Sequence, residues 1–179
     1  MLKLYYTFDT IDSHEFLFRV VQRHYGIADR TLCFGEYGKP YFPHASVHFS
    51  LTHTHNLIAV AISDAPVGAD AEFVKTTKTY ESILRRLPEA EKKEIKTKTD
   101  FFTHWTIKES YIKLTGQTLA SLYEKLSFVG GTLSLDEKKL GVKITSGTLH
   151  SNAYVYALCH QTETIAELYE TDASARTLP

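Results

Sequence analysis

A single block of helical periodicity, TYESILRRLPEAEKKEIKTKTDFFTHWTIKESYIKLTG (79–116), separates β-patterned regions on either side, and this order constrains the fold more than any other feature. Pro88 is placed to open a second helix inside the block and Gly116 to close the last. Ahead of the block, LKLYYTF (2–8) reads as a strand. DSHEFLFRVVQRHYG (12–26) puts Phe16, Leu17, Val20, Val21 and His24 on one helical face, with Asp12 and Glu15 resembling a capping box and Gly26 a stop. SVHFSLTH (46–53) and LIAVAIS (57–63) are β-like runs around the turn-prone THN, and APVGADAEFV (65–74) begins a third after Pro66. Beyond the block, KLSFVGG, GVKITSG, AYVYALCH and TIAELY are short alternating or apolar runs with glycine turns, the pattern of another antiparallel sheet. Sheet, helices, then sheet predicts an α+β fold, not the strand–helix alternation of a doubly wound parallel sheet.

A chain of 179 residues with 43% hydrophobic content can bury one substantial core, as one domain or two intimately packed halves. No flexible linker interrupts it. The junction near Ser63 to Val67 divides the chain into residues 1–66 and the larger 67–179. A formal net charge of −1 gives no general reason to bind nucleic acid or an anionic membrane, although a local basic patch can still meet an acidic partner. The N-terminus lacks the basic region and apolar stretch of a secretory signal, and no run approaches a membrane span, so a soluble cytoplasmic protein is expected. Cys33 and Cys159 sit in apolar or aromatic sequence, which suits small reduced thiols better than a disulfide framework.

Two short stretches carry charge where burial is expected. In VGADAE (67–72), read as an extended strand, Asp70 and Glu72 share one face while Ala69 and Ala71 point the other way. Close carboxylates resist joint ionisation unless a cation compensates, and such oxygen ligands suit Mg²⁺; alone, the pattern reads sooner as the solvated end of an acidic strand. In the helix, Glu109 and Lys113 lie four apart in the favourable acid-before-base order. Alone that is an ordinary surface pair, contributing about 0.3–0.5 kcal/mol. Trp105, Tyr111 and Ile112 nevertheless imply a tightly packed helix, which would hold Glu109 and Lys113 rigidly.

VGADAE followed some forty residues later by HWTIKESYIK resembles the paired signature of 4′-phosphopantetheinyl transferases of the larger, single-chain, surfactin-synthetase-activating type: a G-x-D-x-E strand and a W-x-x-K-E-x-x-x-K helix. YGKPYF (37–42) resembles the family's G-K-P segment and FSLTHT (49–54) its F-N-x-S-H-S segment. These four motifs fall in order across residues 37–113.

The resemblance implies a fold of two pseudo-symmetric halves, each a small antiparallel sheet packed with helices. It implies an enzyme that transfers the phosphopantetheine arm of coenzyme A to a serine of an apo acyl or peptidyl carrier protein and releases 3′,5′-ADP. By similarity, Asp70, Glu72 and Glu109 hold Mg²⁺, with Mn²⁺ as an alternative, and Glu109 is also the general base. Lys113 would contact the phosphates and steady developing charge. His53 matches the histidine that contacts a coenzyme A phosphate, Thr52 keeps a hydroxyl, and Lys39 and Pro40 match the segment along the adenine nucleotide. Lys108 matches the other motif lysine of the coenzyme A site, although helical spacing turns it about 100° from Glu109. Trp105 reads as packing. Both halves of the site lie in one polypeptide, so a monomer is expected, and Arg85, Arg86, Lys92, Lys93 and Lys96 offer a basic face to an acidic carrier.

Three departures qualify the match. Ala69 and Ala71 replace bulky aliphatics, which should loosen packing at a cost of order 2–5 kcal/mol unless neighbours fill the space. Ser50 replaces an asparagine. The N-terminal half is short, and Glu15 stands where a phosphate-gripping arginine is expected, leaving Arg19, Arg23 and Arg30 as substitutes. Two other readings accompany the transferase: a module that binds coenzyme A or a carrier without turnover, and a zinc protein built on His44, His48, His53 and His55.

Overall fold

The continuous apolar run LIAVAIS, buried at every position, makes the central strand of a sheet with two buried faces. The computed structural model describes residues 1–75, 78–161 and 166–172. β1 (Leu2–Thr7) pairs antiparallel with β5 (Leu57–Ser63), which pairs antiparallel with β4 (His48–Thr54). One face of this sheet, carrying Tyr5, Val60 and Ile62, packs on Phe16, Leu17, Val20 and Val21 of α1 (Ser13–Tyr25). Asp12 caps α1 by accepting from the His14 and Glu15 amides at 2.9 and 3.0 Å, and Gly26 ends it in the left-handed conformation at φ 67°. The capping box is only half made, because the Glu15 carboxylate turns to Arg19 and Arg30 instead. His24 is exposed in the last turn, its ring 4.8 Å from that of Tyr5.

The second sheet repeats the first in outline. β6 (Val67–Phe73) pairs antiparallel with β11 (Tyr154–His160), and β11 with β10 (Lys143–Leu149). A long helix, α4 (Lys98–Thr115), covers its outer face through Ile107, Tyr111 and Ile112 against Ala157 and Cys159. The inner faces of the two sheets meet in a common core of Leu2, Leu4 and Leu57 against Ala69, Ala71, Tyr154 and Leu158. Helix, sheet, sheet, helix is therefore the layer order, and the expected α+β architecture of two helix-backed antiparallel sheets holds. The small side chains at 69 and 71 are accommodated by large partners: Tyr156 lies opposite Ala71, and Gly147 makes room for its ring, since a Cβ there would stand 2.8 Å from the Tyr156 hydroxyl. Burial pushes the free Cys159 thiol up to about 12.

Smaller elements fill the connections: the hairpin β2 (Cys33–Phe34) and β3 (Pro40–Tyr41), the helices α2 (Lys78–Arg86), α3 (Glu89–Glu94) and α5 (Leu119–Leu122), and a meander of β7 (Leu126–Val129), β8 (Thr132–Leu135) and β9 (Lys138–Lys139). Pro88 caps α3 and Gly116, at φ 70°, ends α4. The last strand departs from expectation. β12 (Glu167–Glu170) does not extend the second sheet but pairs parallel with β1, so the chain returns across the 66/67 junction to complete the first. Thr164 and Ile165, read as the start of that strand, lie outside the described residues. Among the described residues no helix is long and apolar enough to cross a membrane.

Candidate active site

The two sheets meet edge to edge where β4 lies beside β6, and hydroxyl side chains stitch the seam. Ser50, Thr52 and Thr54 alternate onto one face of β4. The Ser50 hydroxyl accepts from the Ala69 amide at 2.8 Å. Thr52 donates to Asp70 Oδ1 at 3.1 Å, and Thr54 donates to Glu72 Oε2 and accepts from the Phe73 amide, each at 3.3 Å. The acidic pair of β6 is thus aimed by the neighbouring half of the molecule.

α4 crosses the same strand at very short range. At Gly68 an added Cβ would lie 1.9 Å from the Ser110 carbonyl oxygen and 2.3 Å from the Leu114 amide nitrogen, so only glycine lets the backbones approach this closely. That approach brings one helical stripe, Trp105, Glu109 and Lys113 at successive i+4 positions, over Asp70 and Glu72. These three side chains are half-buried, while Ile107, Lys108, Ile112 and others around them are buried.

The electrostatics of the cluster are those of crowded acids. Asp70 is 6% exposed; its Oδ1 accepts from Lys113 Nζ at 2.7 Å and from Thr52, while its buried Oδ2 has no hydrogen-bond partner. Burial, then the Asp70 charge, raises the Glu109 carboxyl to about 7 against the pull of Lys113. Glu72 is raised for the same two reasons, opposed by hydrogen bonds from Thr54 and Trp105. One ammonium therefore faces three mutually repelling carboxyl groups. An orphaned buried oxygen and a surplus of hard oxygen donors fit a divalent cation of the Mg²⁺ kind. Among the described residues no three His, Cys, Asp or Glu side chains are already closed into a ligand set, Lys113 being seated on Asp70.

Beside the cluster runs a cleft of about 220 Å³ lined by Tyr37, Lys39, Pro40, Ser50, Lys113 and Gly116 among others. Lys39, Pro40 and Lys113 thus line one cavity. The Lys39 ammonium, however, donates to the Val67 and Leu114 carbonyls at 3.1 Å each, and burial lowers it to about 8. His53 is exposed on the opposite face of β4 from Thr52. Lys108 stands apart: it is 1% exposed and donates to Glu91 of α3 at 2.8 Å, with the Tyr123 ring 5.0 Å from its Nζ. His44, His48, His53 and His55 are all exposed, and His55 stacks on Phe73 at 4.5 Å. Ser50, read from the sequence only as a departure from an asparagine, Trp105, read as packing, and Thr54, not singled out, all contact the acidic strand; the S-x-T-x-T alternation beside G-x-D-x-E was the available signal.

Residues 66–162 match the 4′-phosphopantetheinyl transferase superfamily. The chain is 35% identical over 105 residues to a 4′-phosphopantetheinyl transferase of Bacillus subtilis, covering 54% of this chain and 46% of that protein. It is 34% identical over 104 residues to the 4′-phosphopantetheinyl transferase HetI of Nostoc sp., covering 49% of this chain and 42% of that one. With psf-1 of Bacillus pumilus, another protein of that name, it shares 32% identity over 141 residues, 70% of this chain and 58% of the relative. The chain belongs to the 4′-phosphopantetheinyl transferase superfamily, and it spans about half the length of the curated relatives it matches.

Proposed function

We propose that this protein transfers the 4′-phosphopantetheine arm of coenzyme A to a serine of an apo acyl or peptidyl carrier protein, releasing 3′,5′-ADP. The observation that carries the reading is the convergence of Asp70, Glu72, Glu109 and Lys113 from two elements held together at Gly68, beside a cleft walled by Lys39 and Pro40.

In the reaction a bond forms between the serine oxygen and the β-phosphorus, and the bond from that phosphorus to the bridging oxygen breaks. Glu109 takes the serine proton on its carboxylate; burial and the Asp70 charge give it a higher proton affinity than an ordinary carboxylate, about 7 in the cation-free site, and a bound cation would offset part of that rise. Lys113 offers its ammonium to the phosphate oxygens as negative charge builds on the leaving nucleotide, which requires it to exchange its hold on Asp70 for the substrate. Asp70, Glu72 and Glu109 would hold Mg²⁺, with Mn²⁺ as an alternative, which supplies charge neutralisation on the diphosphate. Thr52 and Thr54 keep the β6 carboxylates oriented, and Trp105 braces Glu72 from α4. Since both elements come from one chain, the monomer suffices.

The test is mass spectrometry of apo acyl and peptidyl carrier proteins incubated with the protein, coenzyme A and Mg²⁺. A gain of the phosphopantetheine mass on the carrier serine is expected. Binding of coenzyme A and carrier with no mass gain on any of them would replace the transferase by a binding module.

A further inference from the structure

Lys39 enters the cleft from the first half of the molecule, yet its ammonium is engaged with backbone. Its Nζ donates to the Leu114 carbonyl, in the last turn of α4, and to the Val67 carbonyl, at the start of β6, both at 3.1 Å. Near a helix C-terminus the carbonyls have no amide four residues on to accept from, so the Leu114 oxygen needs an outside donor. A cation there also opposes the negative end of the helix dipole. The stem of Lys39 lies against Gly116: a Cβ at that position would stand 3.5 and 3.6 Å from the Lys39 Cδ and Cβ. The lysine is itself anchored by the hairpin turn, where the Gly35 amide donates to the Lys39 carbonyl at 2.9 Å.

What this fastening controls follows from the neighbours of its two acceptors. Leu114 follows Lys113, whose ammonium meets Asp70 at 2.7 Å, and Val67 precedes Gly68, where strand and helix touch. We infer that Lys39 is a positioning residue, a clasp from the β2–β3 hairpin that fixes the last turn of α4 against the start of β6 and so sets Lys113 over Asp70. The clasp explains why one lysine of the first half is half-buried at a junction made by two elements of the second. Its catalytic consequence rests on the transferase reading; its structural consequence does not.

The experiment compares Lys39→Met and Lys39→Arg with the wild-type chain by amide hydrogen exchange and by carrier-labelling kinetics. In the methionine variant, exchange should accelerate through residues 112–117 and at 67–68, while the α1 side of the first sheet keeps its protection. Turnover should fall about tenfold or more, because small misplacement of a charge-stabilising group is costly, with the coenzyme A Michaelis constant changing much less. Lys39→Arg, which keeps a cation and several donors, should recover most of both. Unchanged exchange together with a raised Michaelis constant overturns the clasp and makes Lys39 a direct phosphate contact. If the methionine variant does not fold, Lys39→Gln takes its place in the same comparison. If the wild-type chain labels no carrier, the transferase reading fails, and the exchange data alone still decide the clasp.

Discussion

Glu109 is the residue whose chemistry is most altered by its surroundings, and its titration gives a direct test. Its carboxyl is raised from 4.5 to about 7, chiefly by burial and then by Asp70. For an acid raised on folding, the unfolded chain releases its proton first, so without a cation stability is full below 4.5 and declines as pH rises through about 7. A divalent cation favours the ionised form. The rise in melting temperature on adding Mg²⁺ is therefore expected to be small near pH ~5 and larger near pH ~8; a shift independent of pH would detach Glu109 from the metal. Glu109→Gln and Asp70→Asn should each nearly abolish transfer while leaving the fold intact, since both keep size and remove a charge; near wild-type turnover in either would remove the residue from the site. Gly68→Ala is expected to fail differently. Its Cβ would overlap the Ser110 carbonyl at 1.9 Å, so β6 and α4 must part, lowering stability by about 1–3 kcal/mol and turnover with it. A variant that melts like the wild type would show that the crossing tolerates a side chain. The acids and Lys113 were legible in the sequence because their spacing matches two motifs in order. The contacts of Ser50, Thr54 and Trp105 with the acidic strand were not, because hydroxyls and a tryptophan are common in strands and helices, and their partners lie on other elements.

At the level of elements, α4 carries charge on two sides for two reasons. Glu109 and Lys113 face β6, whereas Lys108 faces α3, where Glu91, 0% exposed, takes its ammonium at 2.8 Å and approaches His104 Nδ1 at 3.2 Å. Burial depresses the Lys108 ammonium and the Glu91 charge holds it up. Such a pair contributes little beyond what a hydrophobic pair of similar volume would, but half of it is worse than neither. Lys108→Met and Glu91→Leu singly are expected to cost about 3–5 kcal/mol, and the double variant to recover most of that loss. Additive losses in a denaturation cycle would refute the pairing. The closing of α4 at Gly116, the opening of α3 at Pro88, the hairpin of β4 and β5 and the apolar face of α1 could be read from periodicity, capping residues and turns; the Thr97–Asp100 capping box that opens α4 was not. The route of β12 could not: four exposed residues carry no face preference, and nothing local distinguishes an edge strand added to the first sheet from one added to the second.

Across the whole molecule, the proposed transferase activity makes residues 1–66 the half that would meet the nucleotide end of coenzyme A. Of the three arginines that were candidates to grip a 3′-phosphate, two are already occupied: Glu15 receives Arg19 at 3.0 Å and Arg30 in a second contact, and Arg30 also lies over the Phe18 ring at 4.5 Å. The Glu15 carboxyl is correspondingly lowered, first by Arg19 and then by Arg30. Any phosphate approaching that corner must displace a carboxylate already paired with both guanidinium groups, so the net gain is much less than the ~1.5–3 kcal/mol of a fresh charge-assisted hydrogen bond. Within the cleft, Lys39 is engaged with two carbonyls and Lys113 with Asp70. Coenzyme A and its dephospho form, which differ only in the 3′-phosphate, should therefore be used with kcat/KM values within about tenfold of each other, a difference below ~1.4 kcal/mol. Releasing the arginines gives the converse: Glu15→Gln is expected to widen the preference for intact coenzyme A, because Arg19 and Arg30 then lack their internal acceptor. Steady-state labelling of one apo-carrier with each substrate measures both ratios. A strong preference for intact coenzyme A in the wild type, lost in Arg23→Ala, would mean that the remaining arginine reaches the phosphate, and that residues 1–66 do grip the nucleotide.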